Sequence, residues 1–170
     1  MNNFISTLAI GLDGTLYAGG YFTTAGGVTV NHIAKWNGTS WSALGTGMNN
    51  DIYALAIGLD DTLYAGGNFT TADGVTVNHI AKWNGTSSSA LGTGMNNAVY
   101  ALVIGLDGAL YAGGDFTTAG GVTVNYIAKW DGSTWSALGT GMDAQVRSAT
   151  INLDGALYAG GIFTKSGGLS

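Results

Sequence analysis

The sequence predicts an all-β chain, and three observations predict it. The segment Ile10-Gly11-Leu12-Asp13-Gly14-Thr15-Leu16-Tyr17-Ala18-Gly19-Gly20 returns from Ile57, Ile104 and Ile151, each time after 47 residues and without insertion. Within each copy, short apolar runs are separated by Asp-Gly or Asn-Gly pairs, which accept the positive φ of tight hairpin turns. The 170 residues include 30 glycines and no proline, and regularly placed glycines mark turns and close packing. Four strands in a 47-residue unit predict a β-propeller of tandem four-stranded antiparallel blades, three complete (about 2–48, 49–95, 96–142) and half of a fourth (143–170). A β-solenoid is the main rival, but its coils usually take about 20–30 residues and lack such hairpins.

The elements follow in order, taking the second copy as the type. A first strand is expected over Ile52 to Leu59, with Tyr53, Leu55, Ile57 and Leu59 on a bulky face and Ile52, Ala54, Ala56 and Gly58 on a smooth one. Asp60-Asp61 turns the chain, where the other copies have Asp-Gly. A second strand runs from Leu63 to about Phe69 through the doublet Gly66-Gly67. A polar loop, 70–78, with room for a short extra strand, leads to a third strand, His79 to Trp83. Asn84-Gly85 is the next hairpin, and Ser88 to Met95 the fourth strand. The expected core is Leu12, Leu16, Tyr17, Phe22, Ile33, Trp36 and Leu44 with their counterparts in later copies.

Composition narrows the partners. The chain is 46% hydrophobic and only 9% charged, with a net charge of −5, so charge-driven disorder is excluded. Four lysines, one per copy, and the single Arg147 make no basic patch, which argues against nucleic acid and an anionic membrane surface. No apolar run reaches a spanning length, so no membrane insertion is expected. Met1 to Phe4 has neither the basic nor the apolar region of a signal peptide. Without cysteine there is no disulfide framework or thiolate chemistry. The sequons at Asn37, Asn68 and Asn84 carry little weight for secretion, since two of them fall on Asn-Gly turns.

The runs Leu-Tyr-Ala-Gly-Gly-x-Phe-Thr, Ile-Ala-Lys-Trp-(Asn/Asp)-Gly and Trp-Ser-Ala-Leu-Gly resemble the blades of kelch-like repeat propellers. Similar runs occur in large bacterial surface proteins and in the fungal cortical polarity-marker family. The resemblance spans the whole chain and rests on structural motifs. It implies a scaffold or recognition role, usually outside the membrane, and no reaction.

The residues offer no catalytic set. There is no glutamate, and Asp13, Asp60, Asp107 and Asp154 occupy the same turn of each copy, about a blade apart. Asp131-Gly132-Ser133-Thr134-Trp135 resembles an Asp-box turn but lacks a residue, and one arginine does not furnish a sialidase. The glycine doublets precede no helix and are not a phosphate cradle. His32 and His79 have no partner ligands for zinc, and no loop has calcium-site spacing. No metal, cofactor or catalytic residue is therefore expected, and the protein is expected not to be an enzyme. Trp41 and Trp135 follow a hairpin where the second copy has Ser88. They are candidates for stacking on sugars, or else for packing at the blade edge.

The expected function is a non-enzymatic structural or protein-binding scaffold. A lectin-type propeller and a fragment of a larger propeller enzyme are the alternatives. An incomplete ring leaves blade sides open, so self-association or continuation into further blades is expected.

Overall fold

The computed structural model describes residues 1–167; the last three residues of the expected half-blade, 168–170, lie outside the described residues. The first copy contains β1 (Ile5–Ile10), β2 (Leu16–Gly20), β3 (Thr24–Ala25), β4 (Val28–Thr29), β5 (Ile33–Trp36) and β6 (Trp41–Ala43). The second contains β7 (Ile52–Ile57), β8 (Leu63–Gly67), β9 (Thr71–Ala72), β10 (Val75–Thr76), β11 (Ile80–Trp83) and β12 (Ser88–Ala90). The third contains β13 (Val99–Ile104), β14 (Leu110–Gly114), β15 (Thr118–Ala119), β16 (Val122–Thr123), β17 (Ile127–Trp130) and β18 (Trp135–Ala137). Then come β19 (Gly141–Met142), β20 (Val146–Ile151), β21 (Leu157–Gly161) and β22 (Ser166–Gly167). No helix occurs among the described residues.

Each of the first three copies is an antiparallel meander: β1-β2-β5-β6, β7-β8-β11-β12 and β13-β14-β17-β18. The β20–β21 hairpin belongs to a fourth, and β19, at the end of the third copy, pairs with β22 of the fourth. The chain is a β-propeller segment. The polar loop between the second and third strands folds into a two-stranded arm, β3–β4, β9–β10 or β15–β16. Asn49 clamps the arm of the second blade by accepting the Thr70 and Thr71 amides at 2.9 and 3.0 Å; Asn96 repeats this on Thr117 and Thr118.

Most of the core lies between blades, while a separate cluster of Ala18, Phe22, Ala25, Val30 and Ala34 lies inside the first. Ile33 and Leu44 meet Ile52, Leu55, Leu63 and Trp83 at the first junction. Ile80, Leu91, Val99, Leu110, Trp130 and Trp135 form the second. Phe22, Phe69 and Phe116 are fully buried. Burial of such side chains, at roughly 1.5–3 kcal/mol each, is the main force opposing chain entropy.

The glycine doublet explains how the inner strands fit so closely. A Cβ on Gly66 would stand 2.5 Å from Val99 Cγ1, so the first glycine is a hole for a β-branched residue of the next blade. The same holds for Gly19 with Ile52 at 2.6 Å and Gly113 with Val146 at 2.5 Å. The second glycine faces its own blade. A Cβ on Gly67 would collide with the Asp51 carbonyl, where the register of β7 shifts between Ile52 and Ala54. That shift is a β-bulge with Tyr53 as its extra residue.

The structure revises the expected elements in three places. The strands are shorter, and Leu12 and Leu59 are 70% and 67% exposed, because the Gly11 and Gly58 amides close hairpins onto Thr15 and Thr62 and leave the leucines in the turns. Leu106 and Leu153 follow them into solvent. The strict alternation expected for the first strand is broken by the bulge, so Ile52 and Leu55 are both buried. His32 and His79 precede the third strand with φ of 69°, in left-handed turns begun by Asn31 and Asn78. Of the remaining expected core, Phe22, Ile33, Leu44 and their second-copy counterparts are buried, whereas Leu16 and Trp36 at the first blade are only half-buried.

Candidate functional site

The bulge re-aims one side chain per blade. Register shifts at Ile5/Thr7, Ile52/Ala54, Val99/Ala101 and Val146/Ser148 make Ser6, Tyr53, Tyr100 and Arg147 the extra residues. These four positions are equivalent, yet they carry three residue types. Beside each bulge stands the residue after the glycine doublet, whose amide donates to the bulge: Tyr21 to the Phe4 carbonyl, Asn68 to Asp51, Asp115 to Ala98 and Ile162 to Gln145. Both sets of positions vary between copies, as does the residue two before the bulge, Phe4, Asp51, Ala98 or Gln145.

These variable side chains meet. Tyr21, Tyr53, Tyr100 and Arg147 line a depression of about 410 Å³ across the inner strands. The rings step along it, Tyr21 to Tyr53 at 6.0 Å and Tyr53 to Tyr100 at 5.6 Å between centroids, tilted by 45° and 42°. Such tilted contacts favour aromatic pairs beyond simple burial.

Burial, with the neighbouring Tyr21 and Asp51, pushes the Tyr53 hydroxyl up to about 12. Burial and Asp115 also raise Tyr100, against the pull of Arg147. Both phenols are therefore neutral hydrogen-bonding groups at neutral pH, not bases. Arg147 Nη2 donates to Gln145 Oε1 at 3.3 Å. The Asp115 carboxylate instead accepts from the amides of Gln145 at 2.8 Å and Asn97 at 2.9 Å. Among the described residues Arg147 thus has no carboxylate partner within ion-pair distance. Its planar fork is presented at the edge of a tyrosine surface.

A second opening, of about 570 Å³, includes Asp13, Lys35, Asp60 and Asp61 at the hairpin turns. Its carboxylates are already engaged: Asp13 by Thr15, Asp60 by Thr62, and Asp61 by the Leu12 amide at 2.7 Å. Among the described residues no group of three or more His, Cys, Asp or Glu converges as metal ligands would.

The tryptophans singled out by sequence lie elsewhere, at the outer strand. Trp135 is buried, 5.2 Å from Trp130, and its indole N–H donates to the Leu91 carbonyl of the preceding blade at 2.9 Å. It is a junction residue and offers no open face to a sugar. Trp41 makes the same pairing with Trp36 at 5.4 Å but is half-exposed, since no blade among the described residues stands over it. In the sequence Tyr21 and Arg147 show only as departures from the repeat, Tyr21 against Asn68, Asp115 and Ile162, and Arg147 against Tyr53. The signal that unites them is the pairing of a variable position with an invariant glycine on the adjacent strand, which marks the bulge.

Comparisons with known proteins agree with this architecture. A family model described as "Domain of unknown function (DUF5122) beta-propeller" matches residues 12–38 and 106–129, less than half of the chain. No curated protein matches. Among solved structures, the extracellular domain of the one component system BT4673 from B. thetaiotaomicron superposes with a TM-score of 0.64 at 13% identity, covering 94% of this chain and 20% of that one. The WD40 beta propeller domain of Doa1 gives 0.62 at 14%, covering 93% and 48%. The extracellular domain of the hybrid two component system BT4673 from B. thetaiotaomicron gives 0.60 at 12%, covering 98% and 21%. The chain spans between a fifth and a half of the length of these solved chains. At such identities the likeness is one of fold.

Proposed function

We propose that this chain is a non-enzymatic recognition propeller that takes a segment of a partner protein at the inner-strand depression. One observation carries the reading: the bulge residue varies between copies while its supporting glycines do not, and the variants gather on one surface. Tyrosine and arginine are among the residue types that dominate binding energy at protein interfaces. Tyr53 and Tyr100 supply ring faces and hydroxyls, and the Arg147 fork is suited to main-chain carbonyls or an acidic side chain of the partner. We assign this activity to the outside of the cell membrane, a reading supported by the two solved extracellular domains that share the fold.

The test is to select peptides from a random display library on the immobilised chain, then measure them against Tyr100→Ala and Arg147→Ala. The selected peptides should lose about tenfold or more in affinity for each variant, the scale of a roughly 1.4 kcal/mol hot-spot contact. Both variants should melt like the parent, because these side chains are half-buried or exposed. Peptides that bind both variants as well as the parent would place recognition elsewhere.

A further inference from the structure

The hairpin between the third and fourth strands is the same turn in all three complete copies, but its first residue differs. The turns read Asn37-Gly38-Thr39-Ser40, Asn84-Gly85-Thr86-Ser87 and Asp131-Gly132-Ser133-Thr134, and no other asparagine of the chain precedes a glycine. In the first two turns the side-chain carbonyl is the hub. Asn84 Oδ1 accepts the Thr86 amide at 3.0 Å, the Thr86 hydroxyl at 2.9 Å and the Ser87 amide at 2.9 Å. Asn37 Oδ1 accepts the Thr39 amide and hydroxyl and the Ser40 amide at the same distances. Among the described residues the main-chain N–H of Gly38 and of Gly85 donates to nothing.

This arrangement suits attack of the glycine nitrogen on the asparagine side chain. Three donors converge on Oδ1, so negative charge that forms there as a bond is made to Cγ is stabilised where it develops. Gly85, at φ 96°, is exposed, and a Cβ on it would meet nothing within 4 Å; the same holds for Gly38 at φ 95°. The glycine nitrogen therefore stands open to solvent with no β-carbon beside it. The third turn shows that the product fits. Asp131 Oδ1 accepts the Ser133 amide and hydroxyl at 2.8 Å and the Thr134 amide at 2.7 Å, and Oδ2 accepts the Thr134 hydroxyl at 3.0 Å. The Oδ1 bonds are shorter than those of the asparagines, as expected of a charged acceptor. The Ser87 hydroxyl, 3.5 Å from Asn84 Oδ1, is the counterpart of the Thr134 hydroxyl.

We propose that Asn37-Gly38 and Asn84-Gly85 are sites of spontaneous deamidation, which converts both turns to the form already present at Asp131. Hydroxide takes the Gly85 amide proton, and the glycine nitrogen bonds to Asn84 Cγ. The bond from Cγ to Nδ2 breaks, and the side-chain nitrogen leaves as ammonia with a proton from water, so a cyclic imide remains. Water then adds to Cγ, the new bond to the glycine nitrogen breaks, and that nitrogen regains its proton while Cγ becomes a carboxylate. Each event adds one negative charge. Asn84 and Gly85 border the opening that also holds Asp13, Asp60, Asp61 and Lys35, so the charge at the first junction grows on a surface already acidic. The site is independent of the tyrosine–arginine depression, and either assignment stands if the other fails.

The folded parent chain is incubated at mildly alkaline pH and followed by intact mass and peptide mapping. The mass gain of an amide-to-acid exchange should accumulate at Asn37 and Asn84, faster as pH rises and well ahead of every other asparagine. Thr86→Ala removes the hydroxyl that donates to Asn84 Oδ1 and leaves Asn37 as a control within the same chain. The rate at Asn84 should then fall about fivefold relative to Asn37, the scale of one hydrogen bond. Asn84→Asp should keep the parent's β-sheet circular dichroism and melt no lower, because Asp131 already occupies this turn. Overturning results are no gain at either Asn-Gly pair, an equally fast gain at other asparagines, a rate at Asn84 unmoved by Thr86→Ala, or an Asn84→Asp chain that loses its fold.

Discussion

The junction of the first and second blades and that of the second and third are built on the same strands but closed at the rim by different chemistry. At the second junction Trp135 lies over Gly120, where a Cβ would stand 2.8 Å from Trp135 Cδ1, and its N–H reaches back to Leu91. At the first junction Ser88 replaces the tryptophan and Asp73 replaces the glycine. The Asp73 carboxylate accepts the Thr46 amide of the preceding blade at 2.9 Å, over Gly45, which has no side chain to obstruct it. One junction is closed by a donor on a large ring, the other by an acceptor on a small side chain. The two substitutions are thus halves of a single exchange, Gly with Trp or Asp with Ser, and they need no ligand to explain them. The bulge residues have no such compensating partner, which separates variation that serves packing from variation that faces outward.

Removing the ring tests this comparison most strongly. Trp135→Ala should cost about 3–5 kcal/mol in urea denaturation, the range for a buried aromatic. Trp41→Ala should cost less than half as much, because that ring is half-exposed and makes no bond to a neighbouring blade. Equal losses would break the distinction between a filled junction and an open one.

The exchange itself is the next test. Gly120→Asp alone should destabilise, since the carboxylate meets the Trp135 ring; combined with Trp135→Ser it should recreate the first junction. The left-handed backbone is no obstacle, as Asp73 already sits at φ 51° and Gly120 at φ 56°. A double-mutant cycle should show a favourable coupling of roughly 1–2 kcal/mol. Strict additivity would mean that the two positions vary independently.

A third junction extends the comparison at smaller amplitude. Where Asn49 and Asn96 clamp the arm, the fourth copy has Asp143, which accepts the Thr164 and Lys165 amides at 2.8 and 3.0 Å and the Thr164 hydroxyl. The Thr164 hydroxyl and the two amides lower its carboxyl to about 2. A depressed carboxylate contributes stability above its ordinary value near 4 and loses it as pH falls through about 2. The Thr164–Lys165 segment should therefore loosen from Asp143 between those values while the Asn-clamped arms do not. The Asp143 carboxyl carbon, followed by NMR, should titrate near 2. A midpoint near 4 would show the clamp unformed, and Asp143→Asn should abolish the transition while keeping the Thr164 and Lys165 amides bound.

Much of this architecture is written in the sequence at the level of period and punctuation. The 47-residue step and the Asp-Gly and Asn-Gly pairs locate the hairpins because turns obey local rules of φ. Burial obeys them less well. Leu12 reads as the continuation of an apolar strand, yet the hairpin closing at Gly11 puts it in solvent. Tyr53 reads as sharing a face with Leu55, yet one inserted residue in the pairing breaks the alternation. A bulge is a property of two strands in register, which no single strand's pattern records. For the same reason the meeting of Tyr21 with Tyr53 was hidden: they come from different blades and adjoin only once the glycine holes have set the spacing.

The bulge has a consequence for how such a chain can change over generations. Its extra residue belongs to neither packed face of the sheet, and the second glycine of the doublet bears the steric cost of the shift. Serine, tyrosine and arginine all occupy it without altering a strand boundary. Duplication of the repeat therefore copies a complete mounting together with a slot at which each new blade is ready to diverge. The side chain is free to change there while the packing is held by the glycines, so the fold carries its own separation between what must persist and what is open to change.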